Sequence, residues 1–345
     1  MVTYKGLRDS IQNLEKIEEC VKIERPPVIN EGYPGQFNVS FTEYPWLIEH
    51  GKYMDFDHAY VFSTVPSCIR WNDIYDEKTK SSRLESEDSW KYLGVFEMAD
   101  LAGMASLTKR PVDFRVLREL QKRTGLDRDS LQRYEEITKK NVELQTLQTI
   151  NLVDLLNSLG IAKNRIYPSY QAGGNVRQIT NGRFTFDFEV PEDSLGKNLF
   201  LEQGIPLENL IPDRSRDTLL SLRLERELST GHKGAIPSPW GYRNEINVNI
   251  GTKENPKYVD VGTLERFAWK PICEGDKIIG LTDIEDIVSI GAVGLERLCM
   301  VVNGLEKVQD IDCIKPFYDA LPLKEKRELV GESLRTLHRI YADAK

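Results

Sequence analysis

Apolar residues recur at steps of three and four through Leu7, Ile11, Leu14, Ile17 and Val21, which predicts an amphipathic N-terminal helix ended by Pro26 and Pro27. A longer helical block is predicted from about Val112 to Leu159. It carries Leu131, Ile137, Leu144, Leu147 and Leu155 among charged and amide residues, as a solvated helix packed on the body does, and Gly160 is placed as its C-terminal stop. Around this block the period shortens to two. Phe184, Phe186 and Phe188 alternate with Thr185, Asp187 and Glu189, and Ile246, Val248 and Ile250 alternate with asparagines, the pattern of strands with one buried face. The C-terminal stretch returns to helix, with Pro322 in a first turn and Val330, Leu334, Leu337 and Tyr341 sharing a face.

Strands that alternate cleanly and are interrupted by helical insertions, instead of regular βαβ units, predict an α+β fold: a mainly antiparallel sheet flanked by helices. The 345 residues suffice for one large domain, or one domain and an appendage. A net charge of −8 argues against a surface that grips phosphate backbones all over, and leaves room for a local basic groove. Cys20, Cys68, Cys273, Cys299 and Cys313 contain no CxxC pair and suit free thiols in a reducing cytosol. His50, His58, His232 and His338 are too dispersed for a metal site, and no metal-ligating residues are expected. No apolar run reaches the ~20 residues of a membrane span, so the expectation is a cytoplasmic protein without membrane partners. The sequence has no GxxxxGK[ST], HExxH, GxSxG or GxGxxG, so those enzyme classes lose support.

Two segments carry candidate chemistry. From Asp286 the chain reads DIVSIGAVGLERLCMVVNG: a β-branched strand, a small-residue turn at Gly291, Ala292 and Gly294, and a helix carrying Glu296 and Arg297. A turn without side chains lets a ligand lie against the backbone, and an arginine one turn further meets phosphate oxygens with a fork of donors. A helix cap with a surface ion pair is the plainer alternative. From Val65, VPSCIRW places Arg70 at the end of an apolar strand. A long charged loop follows, and an apolar strand returns through Val95 to Met98. Paired strands of this kind bring Arg70, Lys91 and Glu97 near one another, with Phe96 as an aromatic platform for a base.

Together, CIR and FEM followed by GLER resemble motifs 2 and 3 of the class II aminoacyl-tRNA synthetases in their alanyl version. GIPLENLIP from Gly204, SPWGYRNEI from Ser238, KYVDVG from Lys257 and DIDCIKPFYDAL from Asp310 are similar to further pieces of that family, in the same order. The resemblance spans nearly the whole chain, loosely in the helical block. It implies a class II synthetase-like catalytic domain over residues 1–300, with a helical insertion at about 112–160, and a short helical appendage over 301–345. It implies ATP and Mg²⁺ as cofactors. Arg70 would hold the α-phosphate and Arg297 the terminal phosphates of a bent ATP, with Lys91 the basic residue of the motif 2 loop. Phe96, Glu97 and Met98 would shape the adenine pocket, and Glu245 and Asp260 would steer nucleotide or Mg²⁺.

The acyl side departs from the family pattern. Where alanyl-tRNA synthetases carry an aspartate for the substrate ammonium, this chain has Ser289 and Ile290. Thr263 and Glu265 fall on the asparagine and valine of the alanine pocket, and Ala292 on the first glycine of motif 3. With Gly291 and Gly294 these positions are the expected substrate-binding residues. Glu265 either reads a displaced amine or forms a solvated surface pair with Arg266; both stay open at this point.

The resemblance therefore implies an ATP-dependent, adenylate-forming ligase. It would activate an amino acid or related carboxylate and transfer the acyl group to an amine, thiol or hydroxyl on a small molecule, carrier protein or tRNA. The sequence ends soon after motif 3, where that family continues into tRNA-binding, editing and oligomerising regions, so a stand-alone monomer or homodimer is expected. The alternatives are a minimal or split alanyl-tRNA synthetase, and an inactive nucleotide- or partner-binding module.

Overall fold

In a computed structural model, the structure describes residues 2–14, 20–22, 28, 59–77, 79–106, 148–149, 152–180, 183–215, 219–221, 240–274, 277–283 and 286–344. Most of the predicted helical block lies outside these residues, as do Ile17, Pro26, Pro27, Ser238, His50, His58 and His232.

The described chain builds the expected α+β architecture. Eight strands run side by side: β1 (Cys20–Lys22), β2 (Ala59–Thr64), β4 (Val95–Ser106), β12 (Asp286–Gly294), β10 (Tyr258–Glu274), β9 (Trp240–Asn249), β5 (Ile166–Thr180) and β6 (Arg183–Glu192). Four more strands join this path: β3 (Ser67–Ile69) on β4, β7 (Ile211–Asp213) on β5, β8 (Leu219–Ser221) on β9 and β11 (Lys277–Asp283) on β10. Among the described pairings only β1–β2 and β5–β7 are parallel. The centre of the sheet thus comes from distant parts of the sequence, with β4, β12, β10 and β9 as neighbours.

Alternation decides which face of these strands is dry. Ile246 and Val248 on β9, Val259, Val261 and Leu264 on β10, and Val293 on β12 are buried in one core. Leu7 and Ile11 of the helix Tyr4–Leu14, Leu152, Val153 and Leu156 of the helical turns at 152–158, and Leu295 and Leu298 of the helix Leu295–Val302 pack against them. Each such side chain contributes about 1.5–3 kcal/mol through removal from water. Gly160, at φ +86°, closes the 152–158 turns in the left-handed conformation that glycine adopts without strain. Ile311, Ile314 and Tyr318, beyond residue 301, belong to the same core.

Three local expectations are corrected. Val21 does not extend the N-terminal helix; it lies in β1, paired with Phe62. Gly291, Ala292 and Gly294 form no turn: β12 continues to Gly294, held between β10 and β4, and the helix begins at Leu295. Pro322 lies outside any helix, between Lys315–Ala320 and Arg327–Asp343. The final helix is also turned over. Leu334, Leu337 and Tyr341 share its exposed side, while Gly331, Glu332 and Thr336 are buried. No described helix is long and apolar enough to cross a membrane.

Candidate functional site

The opposite, polar face of the central strands forms the wall of a cavity. Register places Glu245 of β9 opposite Thr263 of β10, and Arg243 opposite Glu265, so these four side chains share one face. Met98 of β4 pairs with Gly294 of β12, and both line the same cavity with Phe96, Asp260, Arg70 and Arg297. The arginines arrive by separate routes. Arg70 follows β3, its backbone N–H held by the Gly94 carbonyl at 3.1 Å, and its guanidinium lies 5.6 Å from the Phe96 ring centre. Arg297 rises from the first turn of Leu295–Val302.

Arg297 is engaged on several sides. Nε donates to the Lys91 carbonyl at 2.9 Å, Nη1 reaches Asp260 Oδ2 at 3.2 Å, and the guanidinium lies over Tyr92. Burial lowers its pKa from the ordinary value; Asp260 opposes this and neighbouring Arg70 adds to it. The charge of Arg70 works against that of Arg297 across the cavity they both line, a cost that an anion between them would offset. The cavity holds about 100 Å³, below the ~300 Å³ of an ordinary ligand site.

The acidic groups respond to confinement. Glu245 is raised in pKa by burial and then by Asp260, with Arg243 and Arg70 opposing. Glu265 is 3% exposed; burial raises its pKa and Arg243 opposes. Arg243 Nε donates to Glu265 Oε1 at 2.8 Å, and the Thr263 hydroxyl is 3.5 Å from the same oxygen. Glu265 and Arg266 are therefore not a surface pair: Arg266 faces the other way and meets buried Asp193 at 3.2 Å.

Not every expected residue reaches the cavity. Glu97 alternates away from Phe96 and Met98; it accepts the Tyr4 hydroxyl at 2.8 Å and pairs with Arg8 at 3.3 Å. Its backbone N–H donates to both oxygens of Glu296 at 3.0 Å, tying β4 to the Arg297 helix. Lys91 pairs with Asp88, and only its carbonyl meets Arg297. Ser289 is buried on the far face, where its hydroxyl meets Gln148 Oε1 at 2.6 Å. Gly291 lies against Leu264 and Gln148, and a Cβ there would come within 3.3 Å of the leucine.

Two charged lining residues escaped sequence reasoning. Arg243 sits two positions before Glu245, so strand alternation itself puts them on one face, and that signal was available. Asp73 lines the cavity from the helical turn after Arg70, its pKa raised by burial while Arg70, Arg83 and Arg297 oppose. Nothing in a four-residue turn announces this.

Among the described residues no group of three His, Cys, Asp or Glu side chains is arranged to hold a metal ion. The facing carboxylates Glu245 and Asp260 fit Mg²⁺ only in the way that ion is usually bound, by one or two carboxylates together with substrate phosphates.

No family model and no curated protein matches the chain. Solved structures similar to it include the apo histidyl-tRNA synthetase of S. aureus, at 10% identity and a TM-score of 0.41, covering 90% of this chain and 68% of that one. A pyrrolysyl tRNA synthetase of Desulfitobacterium hafniense aligns at 12% identity and a TM-score of 0.32, covering 89% and 69%. Similarity at this level assigns no activity to the chain.

Proposed function

We propose that the protein is a class II synthetase-like ligase of alanyl type that uses ATP to activate an amino acid or related carboxylate. The substrate's carboxylate oxygen attacks the α-phosphorus, pyrophosphate leaves, and the acyl adenylate forms. An amine, thiol or hydroxyl acceptor then attacks the acyl carbon, and AMP departs. The observation that carries this reading is the convergence of Arg70 and Arg297, brought by different elements, on one cavity floored by the sheet. Such a reaction needs no side-chain nucleophile; it needs two anions held in line and charge neutralised on the phosphates. Glu245 and Asp260 would hold Mg²⁺ against those phosphates, where the ion neutralises charge. Phe96 and Met98 give the nucleotide base an apolar wall.

Pyrophosphate exchange into ATP, run with a panel of amino acids and related carboxylates, tests the proposal. Arg70→Ala and Arg297→Ala should each reduce exchange about 10²-fold or more. Full exchange in both variants, or none with any acid in the native protein, rejects it. AMP release that requires tRNA and alanine would identify the narrower alanyl-tRNA synthetase reading.

A further inference from the structure

The N-terminal chain runs against the helix that carries Arg297 and is fastened to it at two points. Val2 exchanges two hydrogen bonds with the Asn303 side chain, both at 2.8 Å, at the C-terminal end of Leu295–Val302. Near the other end of that helix, the Tyr4 hydroxyl lies 2.8 Å from Glu97 Oε2 and 3.2 Å from Glu296 Oε1. From there Tyr4–Leu14 buries Leu7 and Ile11 in the core. Glu296 lines the cavity and adjoins Arg297, and Glu97 stands between Phe96 and Met98, so the Tyr4 contact reaches both elements that shape the site.

Counting hydrogens exposes a shortage. A phenol carries one hydrogen, and here two carboxylates approach its oxygen. If that hydrogen serves Glu97, the nearer, the contact with Glu296 sets lone pairs against each other unless Glu296 brings a hydrogen of its own. The surroundings favour the extra proton. Burial is the main reason the Glu296 carboxyl rises to about 7, and Glu97 adds to the rise. The nearby cations are engaged elsewhere: Arg8 pairs with Glu97 at 3.3 Å, Arg335 Nη1 meets both Glu332 oxygens, and Arg297 is taken by Asp260 on the β10 side. Asp312, which accepts the Tyr4 backbone N–H at 3.0 Å, brings further negative charge. Burial pushes the thiols of Cys299 and Cys313 up to about 11 and about 12, and it raises the Tyr4 phenol as well, with Glu296 and Glu97 adding. The phenol and both thiols therefore keep their protons at neutral pH.

We propose that one extra proton, shared among Tyr4, Glu97 and Glu296, clamps the N-terminal helix onto the walls of the cavity, so that losing it releases Tyr4–Leu14 from the Arg297 helix. The clamp goes beyond the adenylation reading and does not depend on it. The docked helix withholds water from Glu296 and so favours its protonated form; by linkage, the proton favours the docked helix. Docking is thus strongest in acid, weakens as pH rises from about 4.5 to about 7, and levels off above.

Amide hydrogen exchange of the full chain, corrected for the intrinsic rate at each pH, reads the docking in residues 5–14. Protection there should fall about tenfold between pH 5 and 7, while the β9 amides change by less than about twofold. Glu296→Gln carries a permanent N–H donor where the acid carries its proton, and should flatten the fall. Tyr4→Phe should lower protection about fivefold at pH 5, through loss of the hydroxyl's hydrogen bond. Protection of residues 5–14 that stays level with pH, or that falls only in step with β9, overturns the clamp. A native slope in Glu296→Gln, or native protection in Tyr4→Phe, overturns it equally. The native pH series and Tyr4→Phe decide the matter without Glu296→Gln, should that variant fail to fold.

Discussion

Glu265 in the cavity wall and Glu332 on the C-terminal helix are both buried carboxylates, 3% and 0% exposed, and each lies against an arginine. They differ in what is left over. Glu332 accepts the Gly94 backbone N–H at 2.8 Å and the Tyr318 hydroxyl at 2.8 Å, and Arg335 Nη1 reaches both its oxygens at 2.6 and 2.8 Å. Glu265 spends one oxygen on Arg243 and leaves the other bare. A buried charge whose bonding capacity is filled by its own protein acts as a strut, whereas Glu265 keeps an oxygen that no described group satisfies. The strut also serves the cavity at a distance, because Gly94, which Glu332 holds, in turn holds the Arg70 backbone.

The sharpest way to break this comparison is Glu332→Ala. Removing one member of a buried, hydrogen-bonded pair leaves Arg335 Nη1 and the Gly94 N–H without their acceptor, and should cost about 3–5 kcal/mol in urea unfolding. Gly94 has no slack with which to adjust: a Cβ there would meet Ile74 at 2.7 Å and Thr336 at 2.8 Å. A loss below about 1 kcal/mol would show that Glu332 is no strut.

Glu296 offers a third carboxylate, intermediate in kind. Both its oxygens are bonded by the Glu97 N–H, yet burial raises its pKa from the ordinary 4.5 to about 7, with Glu97 adding to the rise and Arg335 opposing it. Between those two values the folded protein binds more protons at this group than the unfolded chain. Its contribution to stability therefore falls as pH rises from about 4.5 to about 7, and levels off above. Glu296→Gln should flatten this part of the stability profile by up to ~1.4 kcal/mol per pH unit. Urea denaturation at a series of pH values measures it, and parallel profiles for the two proteins would show that Glu296 titrates normally.

What the sequence revealed and what it hid divide along the same physical line. Apolar periodicity reports which face is dry, so Leu7, Ile11, Ile246 and Val248 were legible as core positions. The glycine stop at 160 was legible because the left-handed conformation demands that residue. That Arg70 and Arg297 share a cavity was legible only through resemblance, since no spacing rule joins two arginines so far apart in sequence. Struts are nearly invisible to hydrophobic pattern. On the last helix that pattern selected Leu334, Leu337 and Tyr341, whereas the protein buries Glu332 and Thr336 beside Gly331, because a filled hydrogen-bond network makes a polar face burial-competent. Strand parity, applied to FEM, would have sent Glu97 away from Phe96 and Met98; applied to RNE, it would have joined Arg243 to Glu245.

The smallest expected effect sharpens the contrast most. Glu265→Gln removes a buried charge, as the corresponding change at Glu332 would, but its partner is not stranded. The Arg243 side chain remains 28% exposed and still faces Glu245 and Asp260, while the desolvation of the Glu265 carboxylate is relieved. The unfolding free energy should change by no more than about 1 kcal/mol in either direction. Urea titration of the two variants side by side then reads the distinction directly. A residue kept for its ligand loses recognition when altered and keeps its fold, whereas a residue kept for the fold loses stability first. A destabilisation of Glu265→Gln as large as that of Glu332→Gln would place both carboxylates among the struts.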